Sequence, residues 1–214
     1  MFASIAKFIQ DGGPFMYVNV FNTTVVIAIV IDRVIAIVVK NSLSREAFMR
    51  HILRMVANRN FDRALKLCNA APRAALAKVV KAGLQRANKG EAVIIAAIDA
   101  AIMEVTPGIK VRIATLWAMA NIATLVGLVG TVTGLIGAFQ AIGLAAPEQR
   151  AALLSGGISE AMNNTAFGLS IAVTAIVAHV LLSGAAKKLV DDLERYSVVL
   201  ENALLLHDDT TLAA

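Results

Sequence analysis

Residues 116–141, LWAMANIATLVGLVGTVTGLIGAFQA, run for 26 positions without a charged side chain. A helix crosses the hydrocarbon core of a bilayer in about 20 residues at about 1.5 Å each, so this stretch predicts a membrane helix. Gly127, Gly130, Gly134 and Gly137 recur within it at intervals of three, four and three, which places them within about 80° of one helix face. Such a strip lets a second backbone come close in lipid, where small side chains rather than a hydrophobic driving force set helix packing. The four glycines are therefore expected at a helix–helix contact. Thr124 and Thr131 lie seven apart on the flank of the strip. Each either lines a polar path or returns its hydroxyl to the carbonyl one turn back.

Composition extends the membrane reading to the whole chain, because 58% of its 214 residues are apolar and only 16% are charged, leaving room for a modest aqueous part. The net charge of +5 is unevenly spread: 15 Lys or Arg oppose 5 Asp or Glu between Arg33 and Arg112, against 3 and 7 after Gly157. A basic segment between apolar spans marks the cytoplasmic side of a membrane protein. Without zinc-finger spacing or a basic-aromatic recognition motif, it does not mark a nucleic-acid partner. Cys68 is the only cysteine, so no intrachain disulfide can form and a structural zinc site would lack its usual ligands. A buried, inert thiol is expected there, with no metal and no cofactor.

In chain order, residues 1–14 read as a short amphipathic segment at the interface, with Phe2, Ile5, Phe8 and Ile9 on one side. Residues 15–39 read as a first membrane helix with a cytoplasmic extension. Asn19, Asn22, Thr23 and Thr24 interrupt its outer half, and Asp32 and Arg33 are expected solvated at the inner interface. Residues 40–110 form a helical cytoplasmic domain: Ser44 and Asn60 are placed to cap helices, Pro72 to open one, and Gly90 to close the segment before Glu91. Val93, Ile94, Ala97, Ile98, Ala101 and Ile102 then make a buried stripe, and Thr106-Pro107-Gly108 marks a kink or break. The second membrane helix occupies 111–141, a short outer loop 142–157, the third membrane helix 158–186, and a C-terminal cytoplasmic helix and tail 187–214. The fold class is an all-α membrane protein, three transmembrane helices extended into a helical cytoplasmic domain. Its N-terminus lies outside and its C-terminus in the cytoplasm.

The third span carries Glu160, with Asn164 and Gly168 one and two turns on, within about 80° of it on the helix wheel. Thr165 lies about 140° away. Glu160 has two open readings. Near a helix start it is a favourable cap or interface charge, whereas below the headgroups a lone carboxylate is a candidate for reversible protonation. His179 is assigned to the opposite interface.

Two of these stretches, ANIATLVGLVGTVTGLIGAF at 120–139 and GISEAMNNTAFGLSIAVTAI at 157–176, resemble the MotA/TolQ/ExbB proton-channel family, particularly its TolQ/ExbB branch. The end of the first span, IDRVIAIV, is similar as well. The resemblance implies a bacterial inner-membrane subunit, assembled as a homopentamer around a dimer of an ExbD/TolR-like single-span protein that carries an intramembrane aspartate. The resemblance also implies an envelope-spanning effector that receives the work drawn from the proton-motive force. The family's pore threonines match Thr131 in GTVTG and Thr165 in NNTAFG, and its pore-facing glutamate matches Glu160 in ISEAM. Thr124, Asn164 and Thr174 are secondary lining candidates, and Gly168 joins the packing glycines. Two departures stand out: AVTA places Thr174 where many relatives have proline, and Asn163 and Asn164 make the approach to Thr165 more polar than the family pattern. The implied function is a proton-channel, stator-like subunit. The competing reading is a non-conducting membrane scaffold that uses the glycine strip to assemble partners. An enzyme is not expected, since the sequence offers no nucleophile–base pair, metal-ligand cluster or phosphate-binding loop.

Overall fold

A computed structural model describes residues 8–10, 12–39 and 44–212, so most of the amphipathic segment expected at 1–14 lies outside the described residues. The chain is all-α: α1 (Gly13–Val34), a π-helical turn (Ile35–Val39), α2 (Arg45–Ala57), α3 (Phe61–Ala70), α4 (Ala75–Leu84), α5 (Glu91–Lys110), α6 (Ile113–Leu144) and α7 (Pro147–Leu212). No strand occurs among the described residues. Three helical stretches, containing α1, α6 and the first part of α7, are long and apolar enough to cross a membrane. The chain divides into two compact units, one from the described parts of 1–31 and 112–181, the other from those of 32–111 and 182–214.

In the first unit, Gly13 turns the chain into α1 with a φ of +67°, a conformation that costs glycine little. Pro14 follows in the first turn, where its missing N–H is no loss. Met16, Asn19, Asn22 and Val26 form the buried face of α1. On α6, Leu116, Ala120, Ala123, Gly127, Gly130 and Ala138 are buried, and Ala161, Asn164, Ile171 and Ala175 are their counterparts on α7. Phe8 packs edge-on to Phe167, with ring centroids 6.1 Å apart. The loop expected over 142–157 is instead almost entirely helical, with only Ala145 and Ala146 between α6 and α7. Pro147 and Glu148 suit a helix start. Gly157 does not break the helix because it sits against Ala138, where any side chain would collide.

The second unit is a helical domain whose core joins Phe48, Met49, Ile52 and Val56 of α2, Ala64 and Cys68 of α3, Leu76, Val79 and Val80 of α4, and Ile94 and Ile98 of α5 to Leu193 and Leu200 of α7. At Gly83 a Cβ would lie 2.9 Å from Ile98 and 3.2 Å from Leu200, so α4, α5 and α7 meet at this point. Arg45 pairs with Asp192. Ser44 and Asn60 occupy N-cap positions without a side-chain capping bond, and α4 begins at Ala75 rather than at Pro72. Of the stripe expected on α5, Ile94 and Ile98 are fully buried while Val93 is exposed.

Of the kink or break expected at Thr106–Gly108, the break does not occur: α5 carries Pro107 within it and ends at Lys110. The turn comes at Arg112, whose φ is +62°. Arg33 accounts for this extension. Its Nη1 donates to the carbonyls of Gly108 at 3.1 Å and Val111 at 3.2 Å, satisfying acceptors that a helix C-terminus leaves open. Its Nη2 pairs with Asp32 at 2.7 Å. Arg33 is thus buried rather than solvated, with 7% of its side chain exposed.

Candidate functional site

The site is built where α6 crosses α7. A Cβ on Gly127 would lie 3.0 Å from the carbonyl oxygen of Asn164 and 3.3 Å from Cα of Thr165, and one on Gly168 would lie 2.5 Å from the carbonyl oxygen of Ala123. The two backbones are therefore in direct contact, the use small residues have in membrane helices. A Cβ on Gly130 would press on the Asn164 side chain at 2.9 Å, and Gly134 faces Ala161 at 3.4 Å. Gly137 differs from the other three: a Cβ there would meet no atom of another helix within 4 Å among the described residues.

This close approach brings Thr131 and Thr165 together, hydroxyl to hydroxyl. Thr131 Oγ1 also lies 3.0 Å from the Gly127 carbonyl oxygen and 3.1 Å from that of Ala161, while Thr165 Oγ1 lies 3.2 Å from the Gly127 oxygen. Local backbone bonding is thus realised at Thr131, together with a hydroxyl contact across to α7. Two hydroxyl protons serve three kinds of acceptor, and each hydroxyl oxygen keeps lone-pair capacity for a further donor. Thr124 and Thr174 stand apart from this pair. Each bonds the carbonyl four residues back, to Ala120 at 3.1 Å and to Ser170 at 2.8 Å, and Thr174 is exposed.

Glu160 and Asn164 share a cavity of about 350 Å³ with Phe15, Thr133 and the glycine edge of α6, including Gly137. Because α7 begins at Pro147, Glu160 lies 13 residues inside its helix, too far from that N-terminus to cap it. Its carboxylate rests instead against Gly13 at the start of α1. Asn164 is buried and donates to the carbonyl of Gly12 at 2.5 Å. At the other end of the unit, His179 donates through Nδ1 to the Ile113 carbonyl at 2.9 Å, beside the Trp117 ring. No group of three or more potential metal-ligating side chains is present among the described residues.

Residues 71–195, which include the α6–α7 crossing, match the model of the MotA/TolQ/ExbB proton channel family. The chain belongs to that family. The match spans 125 of its 214 residues and leaves out α1, α2, α3 and the end of α7. No curated protein matches the chain significantly. Within this MotA/TolQ/ExbB member, two polar residues outside the matched region do more than interrupt the first span. Asn19 is fully buried and Asn22 nearly so. Their spacing of three, in step with Met16 and Val26, puts them on the one inward face of α1, a signal that hydropathy averaged along the span does not carry.

Proposed function

We propose that this chain is the wall-forming subunit of a proton-driven motor in the bacterial inner membrane, of the TolQ/ExbB-like branch. It acts as a homopentamer around a dimer of an ExbD/TolR-like single-span protein. The observation that carries the reading is the Thr131–Thr165 hydroxyl pair held over the Gly127 carbonyl. In this reading the partner's intramembrane carboxylate visits the pair. When protonated, the carboxyl donates to a threonine oxygen; when ionised, it accepts a hydroxyl that has turned from its backbone carbonyl. Neutralisation lowers the cost of placing the partner helix against apolar surface, and ionisation restores its preference for polar groups. Alternation between the two drives the partner relative to the ring.

The N-terminus is placed outside, with Glu160 and its cavity on the outer side and the basic segment 33–112 in the cytoplasm, by the asymmetry of Lys and Arg. Glu160 gathers protons at the mouth of the path, with Asn164 beside it. The domain scheme keeps a first membrane helix within 15–39, a cytoplasmic domain over 40–110 and a C-terminal cytoplasmic helix after 187. The scaffold reading draws less support, because Gly127 and Gly130 are occupied within the chain by α7 and are closed to a partner. The test is proton flux driven by a pH gradient in liposomes holding this chain and its single-span partner. Flux that requires the partner and falls in an assembled Thr131→Val/Thr165→Val variant supports the pathway. An assembled variant that conducts like the parent overturns it.

A further inference from the structure

Three asparagines lie in the interior of the membrane unit: Asn19 is 0% exposed, Asn22 4% and Asn164 1%. Asn22 donates to the Met119 carbonyl at 3.1 Å and Asn164 to that of Gly12 at 2.5 Å. Four of their buried side-chain atoms have no hydrogen-bond partner among the described residues, namely both Nδ2 and Oδ1 of Asn19 and the Oδ1 atoms of Asn22 and Asn164. An amide stripped of water without replacement hydrogen bonds is strongly disfavoured, above all in a membrane, and four such atoms on the inner faces of α1 and α7 call for a ligand.

The chemistry of Asn19 selects that ligand. Its Nδ2 requires an acceptor and its Oδ1 a donor. A bound cation satisfies only oxygens, whereas water does both and is the usual partner of buried polar groups. The groups also form a sequence in depth. Asn164 lines the cavity that holds Glu160. One turn further along α7, a Cβ on Gly168 would lie 3.3 Å from Nδ2 of Asn19, and Asn22 follows three residues along α1. Beyond Asn22 the interior is apolar, with Val26, Leu116 and Ala175 all buried.

We propose that Asn164, Asn19 and Asn22 hold a file of water molecules inside each protomer, continuous with the Glu160 cavity and closed at its far end by Val26, Leu116 and Ala175. With about 1.5 Å per residue along each helix, the file reaches about 10 Å beyond Asn164. It is a half-channel that branches from the Glu160 cavity on the flank of α7 away from the threonine pair and ends blind. That it opens to the outer side rests on the orientation proposed above; that it contains water does not.

Water-edited solid-state NMR on the full-length wild-type chain in lipid bilayers tests the file. The dipeptides Val18-Asn19 and Phe21-Asn22 each occur once in the sequence, so paired labelling of Val or Phe carbonyl carbon with Asn nitrogen identifies both residues without a variant. Their side-chain amides are expected to receive magnetisation from water several-fold faster than the backbone amide of Leu128, whose apolar side chain is exposed on the mid-span of α6. Build-up at Asn19 and Asn22 no faster than at Leu128 overturns the proposal. A Gly137→Cys/Cys68→Ala variant then reads the orientation by itself: labelling of intact spheroplasts by a membrane-impermeant maleimide supports an outer opening. Labelling only after permeabilisation, with the amides still water-coupled, overturns the outer opening and leaves the water file standing.

Discussion

Gly168→Ala tests the close approach on which the site depends. The new methyl would sit 2.5 Å from the carbonyl oxygen of Ala123 and 3.2 Å from Cα of Gly127, and both obstacles are backbone, which no rotamer change can move. The helices must separate by roughly 0.5–1 Å, enough to forfeit a quarter to a half of the dispersion attraction between the atoms that part. Overpacking of this kind costs about 1–3 kcal/mol. The matched control is Gly137→Ala, where the methyl meets nothing within 4 Å. Both substitutions gain about 1 kcal/mol of helix propensity, so the difference between them isolates the steric effect. In equilibrium unfolding with increasing SDS in mixed micelles, Gly168→Ala is expected to raise the unfolding constant about 5- to 150-fold relative to Gly137→Ala. Gly130→Ala should destabilise as well, since its methyl would press on Cγ of Asn164 at 2.9 Å and on Cβ of Phe15 at 3.1 Å, and a Cβ moves only with its backbone. Equal stability of Gly168→Ala and Gly137→Ala would refute direct backbone contact at this crossing.

Three further outcomes follow from the second unit. Arg33→Leu removes the donors to Gly108 and Val111 and should cost about 2–3 kcal/mol. Arg50→Leu, which loses only an exposed pair with Glu46, should cost about 0.5 kcal/mol or less; similar losses in the two unfolding titrations would contradict the role given to Arg33. Burial raises the Cys68 thiol to about 11 despite the opposing charge of Lys81, so at pH 8 the folded chain should resist thiol reagents until denaturant is added, and rapid labelling of native protein would contradict its placement. Burial, with Asp99 adding to it, raises the Glu201 carboxyl above its ordinary value. Its contribution to stability is therefore fully present below the unfolded value and lost as pH rises through the folded one. Glu201→Gln should be more stable than the parent at neutral pH, with the gap closing as the solution is acidified through the carboxylate range, and a gap independent of pH would count against the assignment.

Helix identity was legible in the sequence because long apolar runs and helical periodicity are local properties of the chain. The glycine face of α6 was legible for the same reason, but its division was not: Gly127 and Gly130 contact α7 while Gly137 borders a cavity, and only the position of the second helix decides which. The start of α7 was hidden by Gly156 and Gly157, which read as loop residues when neighbours are unknown, yet Gly157 is a packing residue against Ala138. Arg33 offered an adjacent aspartate in sequence, whereas the carbonyls it serves lie 75 and 78 residues away. Thr131 and Thr165 were singled out by family resemblance. Spacing by itself left Thr124 and Thr131 equivalent, and what separates them is that Thr131 alone meets a hydroxyl from α7.

Tight packing and polarity are coupled at this crossing. The Gly127 carbonyl lies 3.0 Å from the hydroxyl of Thr131 and 3.2 Å from that of Thr165, and it can be shared only because no side chain at 127 or 168 holds the backbones apart. A membrane interior tolerates such hydroxyls when backbone acceptors lie within reach. The glycines thus set the distance at which two threonines on different helices act as one polar group. Asn164, one residue before Thr165, faces the other way, toward Gly12 and the cavity of Glu160. Side chains one apart on a helix diverge by about 100°, so α7 presents a hydroxyl on one flank and an amide on another at nearly the same depth. That divergence lets a single helix serve the threonine pair and a polar interior at once without joining the two.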